Sequence, residues 1–231
     1  MSSEYPLIYS NSNGPRYLRA RDWLKAGNFR AAVLQLSQLV KDEPEETLYW
    51  TNYANALEGL AVSGDYARGI PMKDANGDPM SPEVLQEYAL KARRKVVGKK
   101  SDNPMAWGQL ATTLIRMDRP AEALEAIEEK LKLNPDSFIA YGMKAHALTK
   151  MERYDEALEA VGKARTLEPD NIRTEQMEKR IKDWKEAKEH PREFWERNGS
   201  SHQDELLDLY DEYGLDRQEH HGANSREINR R

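Results

Sequence analysis

One part of the chain repeats itself with a period of 34 residues. Residues 103–135 and residues 137–169 align without a gap, and each has an early aromatic residue, alanines in both halves and a final proline. The matched pairs are Trp107 and Tyr141, Ala111 and Ala145, Leu114 and Leu148, Ala123 and Ala157, Ile127 and Val161, and Pro135 and Pro169. A fixed period of this length indicates stacked supersecondary units rather than one globular core.

Each unit of the repeat has the pattern of a helix hairpin. Leu110 and Leu114 follow Trp107 at i+3 and i+7, which places all three on one helix face. Ala111 and Ala123 are small, and small residues let two paired helices approach closely. The sequence therefore predicts two antiparallel helices per period.

Two glycines, Gly108 and Gly142, interrupt the first helix of these units one residue after the aromatic residue. Glycine inside a helix costs about 1 kcal/mol relative to alanine, so each position needs a reason. Close packing against a neighbouring helix is one interpretation, and room for a bound partner is the other. The sequence does not choose between them.

The period, the early aromatic, the small residues and the closing proline resemble the tetratricopeptide repeat. The resemblance implies an all-α, right-handed α-solenoid of about four helix hairpins with a C-terminal capping helix. The predicted segments are an N-terminal extension 1–12, a repeat domain 13–189 with repeats 13–46, 47–103, 104–137 and 138–171 and a capping helix 171–189, and a polar tail 190–231 with a short amphipathic helix 204–215.

The second repeat carries an insertion at about residues 64–81, between its two helices. Asp74, Asn76 and Asp78 imitate the start of a calcium loop, but Pro79 stands where such a loop needs glycine. An Asn-Gly pair favours a tight hairpin turn instead. Insertions in repeat proteins usually form loops on one face, often the binding face.

The resemblance also implies that the first helix of each repeat lines a concave groove that binds a partner. The predicted groove residues are Tyr17, Arg21, Lys25, Asn52, Asn55, Gln109, Thr112, Arg116, Met143, His146 and Lys150. This set is neutral to basic although the chain has a net charge of -5, which favours an acidic or carboxylate-bearing peptide. Some family members grip chaperone tails with a lysine and asparagine clamp, but Arg21 replaces the asparagine here and the third repeat lacks the lysine and arginine pair.

Composition excludes several other classes of protein. The chain has no cysteine, which removes disulfides and thiolate metal sites, and its net charge of -5 argues against non-specific nucleic-acid binding. No apolar run approaches the roughly 20 residues that cross a bilayer, and the N-terminus lacks the pattern of a secretory signal. We find no catalytic, cofactor or metal motif, so we expect a non-enzymatic protein without cofactor or metal, located in the cytoplasm.

These observations predict a non-catalytic adaptor or scaffold that binds a partner peptide or helix in the groove. One alternative is a self-assembling homo-oligomer, for which the acidic segment 204–215 is a natural self-ligand. A chaperone-tail-binding co-chaperone and an enzyme subunit with its chemistry in the insertion are weaker alternatives. The insertion contains no histidine or cysteine.

Overall fold

The computed structural model describes residues 13–63, 72–73, 80–190 and 193–194. Within these ranges the chain forms nine longer α-helices, and the only β-structure there is an isolated bridge at Lys73. The helices are α1 (Gly14–Lys25), α2 (Phe29–Asp42), α3 (Thr47–Val62), α4 (Pro82–Lys99), α5 (Pro104–Arg116), α6 (Pro120–Leu133), α7 (Phe138–Lys150), α8 (Tyr154–Leu167) and α9 (Ile172–Glu189). The all-α class predicted from the period is confirmed.

Short polar residues fix where most helices begin. The side chain of each capping residue accepts a backbone N–H from the first helical turn, which satisfies a donor that has no partner inside the helix. These capping residues are Asn28, Ser81, Asn103, Ser137 and Asn171. Each cap of this kind contributes about 1 kcal/mol to the stability of its helix.

Three of the hairpin turns contain a residue in the left-handed conformation. Gly27 adopts φ 74° between α1 and α2, while Asp118 and Glu152 adopt φ 54° and 57° in the corresponding turns before α6 and α8. A residue with a Cβ costs about 1–2 kcal/mol in this conformation. Both carboxylates form ion pairs, Asp118 with Lys150 at 2.8 Å and Glu152 with Lys188, and these contacts offset part of that cost.

The described helices divide into two compact units. The first contains α1 to α5 and the end of α6, Glu128–Asn134. The second contains the beginning of α6, Asp118–Ile127, together with α7, α8 and α9.

The core of the first unit is built around aromatic and aliphatic side chains of α1 to α4. Tyr17 and Tyr49 are buried with ring centroids 5.2 Å apart, and Leu36 and Leu57 are fully enclosed. Gly59 is required by close packing, because a Cβ there would lie 2.4 Å from the ring of Phe29. Because Gly59 has no side chain, α3 leaves room for Phe29, the first residue of α2.

The core of the second unit relies on small residues. Ala145, Ala157 and Ala160 are buried together with Leu148 and Val161, so α7 and α8 approach closely. Helix α9 covers this hairpin with Ile181, Met177 and Trp184, and Trp184 packs against the buried ring of Phe194.

The glycines Gly108 and Gly142 have different surroundings. A Cβ at Gly108 would lie 3.0 Å from the Lys130 ammonium nitrogen and 3.3 Å from its Cδ, so Gly108 is in close contact with the flexible end of that side chain. A Cβ at Gly142 would meet no neighbouring atom of the described residues within 4 Å, so packing does not explain the second one. The hairpin at Asn76-Gly77 and the helix at 204–215 lie outside the described residues, although Met80 N–H donates to the Met72 carbonyl at 2.7 Å.

Candidate functional site

The predicted groove residues lie on the first helix of each hairpin. Those of the first unit are on α1 (Tyr17, Arg21, Lys25), on α3 (Asn52, Asn55) and on α5 (Gln109, Thr112, Arg116). Those of the second unit are Met143, His146 and Lys150 on α7.

Arg93, a buried residue of α4, organises the polar side chains of the first unit. Its guanidinium donates to the Asn55 amide oxygen at 2.7 Å and to the Gln109 amide oxygen at 3.1 Å. It also forms an ion pair with Glu58 at 3.2 Å, with both carboxylate oxygens as acceptors. Only 4% of Arg93 is exposed, so its charge depends on these three partners.

Glu58 receives further donors from α5. The Thr113 hydroxyl donates to one carboxylate oxygen at 2.5 Å, and Arg116 donates to the other at 3.2 Å. The cluster thus contains two guanidinium groups, of Arg93 and Arg116, and one carboxylate, so it carries one net positive charge. The Arg116 side chain is 58% exposed, so this part of the cluster is accessible to solvent.

The network also sets the direction of two amide groups. Arg93 uses the amide oxygens of both Asn55 and Gln109, so their NH₂ groups point away from the guanidinium. Both side chains are half-buried at the surface of the unit. The sequence-predicted residues Asn55, Gln109 and Arg116 therefore form one set of outward donors beside a fixed positive charge. We call this set, with Thr112, the first-helix face.

Two other predicted residues of this unit, and Thr112 of the first-helix face, are engaged in local bonds. Tyr17 is buried and accepts a hydrogen bond from the Asn52 amide at 3.0 Å, and that amide also donates to the Leu48 carbonyl. The Thr112 hydroxyl donates to the Gly108 carbonyl at 2.9 Å. The bond between Asn52 and Tyr17 joins α1 to α3, and these contacts leave Tyr17 and Asn52 little capacity to bind a ligand.

The two predicted cations of α1 remain near the surface. Arg21 is half-buried and lies 3.7 Å from the Asp22 carboxylate, while Lys25 is exposed at the end of the helix. Ligand binding by either residue stays a prediction.

In the second unit, His146 lies between α7 and α9. It borders a cavity of about 20 Å³ that is also lined by Met177, Arg180 and Trp184. Burial lowers the pKa of His146, the charges of Lys150 and Arg180 act in the same direction, and the pKa falls from 6.5 to about 4. The imidazole is therefore neutral at physiological pH.

Lys150 and Met143 complete the predicted set. The Lys150 side chain is only 5% exposed and forms its ion pair with Asp118 within the unit. Met143 is half-buried on the same helix. Ligand binding by this part of the predicted set also stays a prediction.

Sequence reasoning missed Arg93 and Glu58, the centre of the network. Neither belongs to the first-helix positions that the resemblance marks for ligand binding. A signal was present in α4: every other apolar-face position there is aliphatic, and Arg93 stands between the buried Ala92 and Val96. A charged residue on a buried helix face needs a partner, which points to an acidic residue on a neighbouring helix.

The described residues contain no group of three histidine or acidic side chains placed to hold a metal ion. Among the same residues, no helix is long and apolar enough to cross a membrane.

Two protein-family models match the chain. Residues 17–70 match a model described as tetratricopeptide repeat, and residues 86–164 match one described as anaphase-promoting complex, cyclosome, subunit 3. No curated protein matches the chain.

Several solved structures have the same fold. A crystal structure of MamA protein gives a TM-score of 0.59 at 16% identity, over 79% of this chain and 87% of that chain. MamA from Desulfovibrio magneticus RS-1 gives 0.57 at 22% identity, over 80% and 95% of the two chains. TTC0263, described as a thermophilic TPR protein in Thermus thermophilus, gives 0.53 at 19% identity, over 75% and 84%. At these identities the similarity concerns the fold.

Proposed function

Because this chain is a tetratricopeptide-repeat protein, we propose that it is a non-catalytic adaptor that binds an acidic segment of a partner protein. The fold suggests a scaffold for protein–protein interaction. The proposed binding surface in the first unit is the first-helix face, with Arg21 and Lys25 of α1 as additional charges. Its location in the cytoplasm stays a prediction.

The observation that carries this proposal is the orientation of the donors. Asn55 and Gln109 give their oxygens to Arg93 and keep their N–H groups for a ligand, next to the exposed guanidinium of Arg116. Fixed N–H donors around a positive charge suit carboxylates and peptide carbonyls. Because the Arg93 network already holds the side chains in place, a ligand would not have to order them on binding.

A test can remove these donors without removing the acceptors of Arg93. Asn55→Asp and Gln109→Glu keep an oxygen toward Arg93 and replace each outward NH₂ group by a carboxylate oxygen. We expect peptides selected from a random displayed library on the wild-type chain to be rich in Asp and Glu. We expect these peptides to bind the double variant at least about tenfold more weakly, because the N–H donors are replaced by carboxylate oxygens that repel the acidic side chains of the peptides.

The matched control is Asn134→Asp with Gln176→Glu, which adds the same charge at two exposed positions that do not belong to the first-helix face. Peptides should bind this control as they bind the wild type. Selected peptides that bind wild type and the Asn55→Asp/Gln109→Glu variant equally would contradict the first-helix face as the site. Binding kinetics give a second test. Arg116→Glu should mainly lower the association rate, because charges at the rim of an interface steer the two partners towards each other.

A further inference from the structure

A second surface of the first unit is a groove between α2 and α4, which we call the α2–α4 groove. Its volume is about 1080 Å³. Trp50 and Tyr53 of α3 form its floor, with their ring centroids 6.3 Å apart and an angle of 67° between the ring planes. Apolar side chains of α2, the insertion and α4 extend this floor: Val33, Val40, Met72, Met80 and Ala92.

The upper walls of the groove are also apolar in part. Leu34 is 55% exposed and Tyr88 is 37% exposed, and both line the groove. Burial raises the pKa of Tyr53 above its usual value, and neighbouring Tyr88 acts in the same direction. The groove therefore offers a water-accessible apolar surface, which a partner side chain can cover.

Every charged residue that lines the groove in the described part of the chain is a cation. These residues are Lys41, Lys73, Lys91, Arg94, Lys95 and Lys99. Residues 89–100, which supply most of them, include six cations and no acidic residue. Four of these six, Lys91, Arg94, Lys95 and Lys99, stand at i, i+3, i+4 and i+8 on one face of α4, and all four line the groove.

The charge of this wall is only partly neutralised. Lys99 pairs with the exposed Glu45 at 2.5 Å, at one end of α4, and Lys91 lies 5.3 Å from the centre of the Tyr88 ring. Lys41 and Lys95 have no ion-pair partner among the residues the structure describes. Like charges at this spacing repel one another, so an anionic partner in the groove relieves a cost that the free protein carries.

The chain contains a segment that complements both the apolar surface and the positive charge of the groove. Residues 204–215, DELLDLYDEYGL, include five acidic residues and no basic one. In a helix, Leu206, Tyr210 and Tyr213 stand at i, i+4 and i+7 and form one apolar face with acidic residues beside it. This is the pattern of a helix that binds with its apolar side in a groove.

We propose that the α2–α4 groove binds the chain's own acidic segment, residues 204–215. The leucine and tyrosine side chains of the segment cover Trp50, Tyr53 and the methionines, and its carboxylates face Lys91, Lys95 and Lys41. An apolar floor and a cationic wall together select such a segment over a free phosphate, which needs the cations alone. The charged residues of the groove lie on α2, the insertion and α4, and the groove shares no lining residue with the first-helix face, so each surface can be tested without the other.

The test uses the full chain with Leu206→Ser and Tyr210→Ser, which removes the apolar face of its own segment. A fluorescein-labelled peptide of residues 204–215 is titrated with this protein and followed by anisotropy. We expect saturable binding that Lys91→Glu/Lys95→Glu weakens at least about tenfold, while the matched control Lys132→Glu/Lys179→Glu, at exposed positions elsewhere, leaves it unchanged. A peptide with its acids replaced by lysine should bind the Lys91→Glu/Lys95→Glu protein better than the original peptide does.

Two measurements connect this result with the native segment. Light scattering at two concentrations compares the wild type with the Leu206→Ser/Tyr210→Ser protein. A mass that rises with concentration only in the wild type means that the segment of one copy occupies the groove of another. A constant mass, with peptide affinity higher in the substituted protein, means that each chain occupies its own groove. Both results support the proposal.

Three results would overturn it. The first is no saturable binding of the peptide, and the second is equal binding of a shuffled peptide of the same composition, which would reduce the groove to a non-specific cation patch. The third is peptide binding that is weakened neither by substitution of Lys91 and Lys95 nor by the presence of the native segment. If anionic vesicles or single-stranded DNA bind through Lys91 and Lys95 while the peptide does not, the proposal also fails. The Asn55→Asp/Gln109→Glu variant should still bind the peptide, which separates this test from that of the proposed function.

Discussion

Helix α4 contributes to two surfaces of the first unit, and their charges are arranged in opposite ways. On one side Arg93 is buried and bonded to Glu58, Asn55 and Gln109. On the other side Lys91 and Lys95 are exposed and line a groove without acidic residues in its described part. The difference teaches that a cation in a sequence indicates a ligand site only when the fold leaves its charge unsatisfied.

The largest expected effect tests the buried side of this comparison. Arg93→Met leaves Glu58 with one fewer cation and removes the donor from two amide oxygens, in a site that water reaches poorly. We expect the free energy of unfolding to fall by about 3–5 kcal/mol, measured by urea denaturation followed by circular dichroism. Arg93→Met/Glu58→Met should regain part of this loss, because the carboxylate that has lost its buried cation is gone. A loss below about 1 kcal/mol for the single variant would mean that Arg116, Thr113 and solvent satisfy Glu58 without Arg93.

A second prediction concerns packing between α2 and α3. Gly59→Ala places a methyl group 2.4 Å from the Phe29 ring, and we expect a loss of about 1–3 kcal/mol from overpacking. Gly142→Ala is the matched control, because no described neighbour lies within 4 Å of that position and alanine favours a helix by about 1 kcal/mol. The two melting temperatures should therefore move in opposite directions. A stabilised Gly59→Ala protein would show that Phe29 rotates away without cost.

The sequence was sufficient for the fold and insufficient for the contacts of the site. The period of 34 residues identified the hairpins because the residues that carry it, such as Ala123 and Pro135, act locally on helix packing and helix ends. Arg93 and Glu58 are 35 positions apart, and no local pattern states that their side chains meet. The groove was also missed, because its wall and floor come from three helices and the insertion.

The third prediction extends the comparison to the second unit, where a first-helix residue is buried without charge. The folded-state pKa of His146 is about 4, against 6.5 in the unfolded chain, so acid protonates the unfolded state first. Stability is complete above pH 6.5 and is lost as the pH falls from there towards 4, by about 2 kcal/mol at pH 5. His146→Gln should remove this part of the pH dependence. Urea denaturation of both proteins at pH 7 and at pH 5 tests this prediction. An equal loss of stability in both proteins between the two pH values would show that burial, Lys150 and Arg180 do not lower the pKa of the imidazole.

The smallest expected effect is the one that most sharpens the contrast along α4. Lys91→Glu/Lys95→Glu replaces two exposed side chains that contribute little to stability. The carboxylate introduced at position 91 pairs with Arg94 at i+3, and the one introduced at position 95 pairs with Lys99 at i+4. We expect the free energy of unfolding to change by less than about 0.5 kcal/mol, with any gain disappearing in high salt because exposed pairs are screened. The measurement is the same urea denaturation that is used for Arg93→Met, at low and at high salt. If the two lysines proved as costly to replace as Arg93, which stands between them, their charges would be held by the fold and would not be available to an acidic ligand.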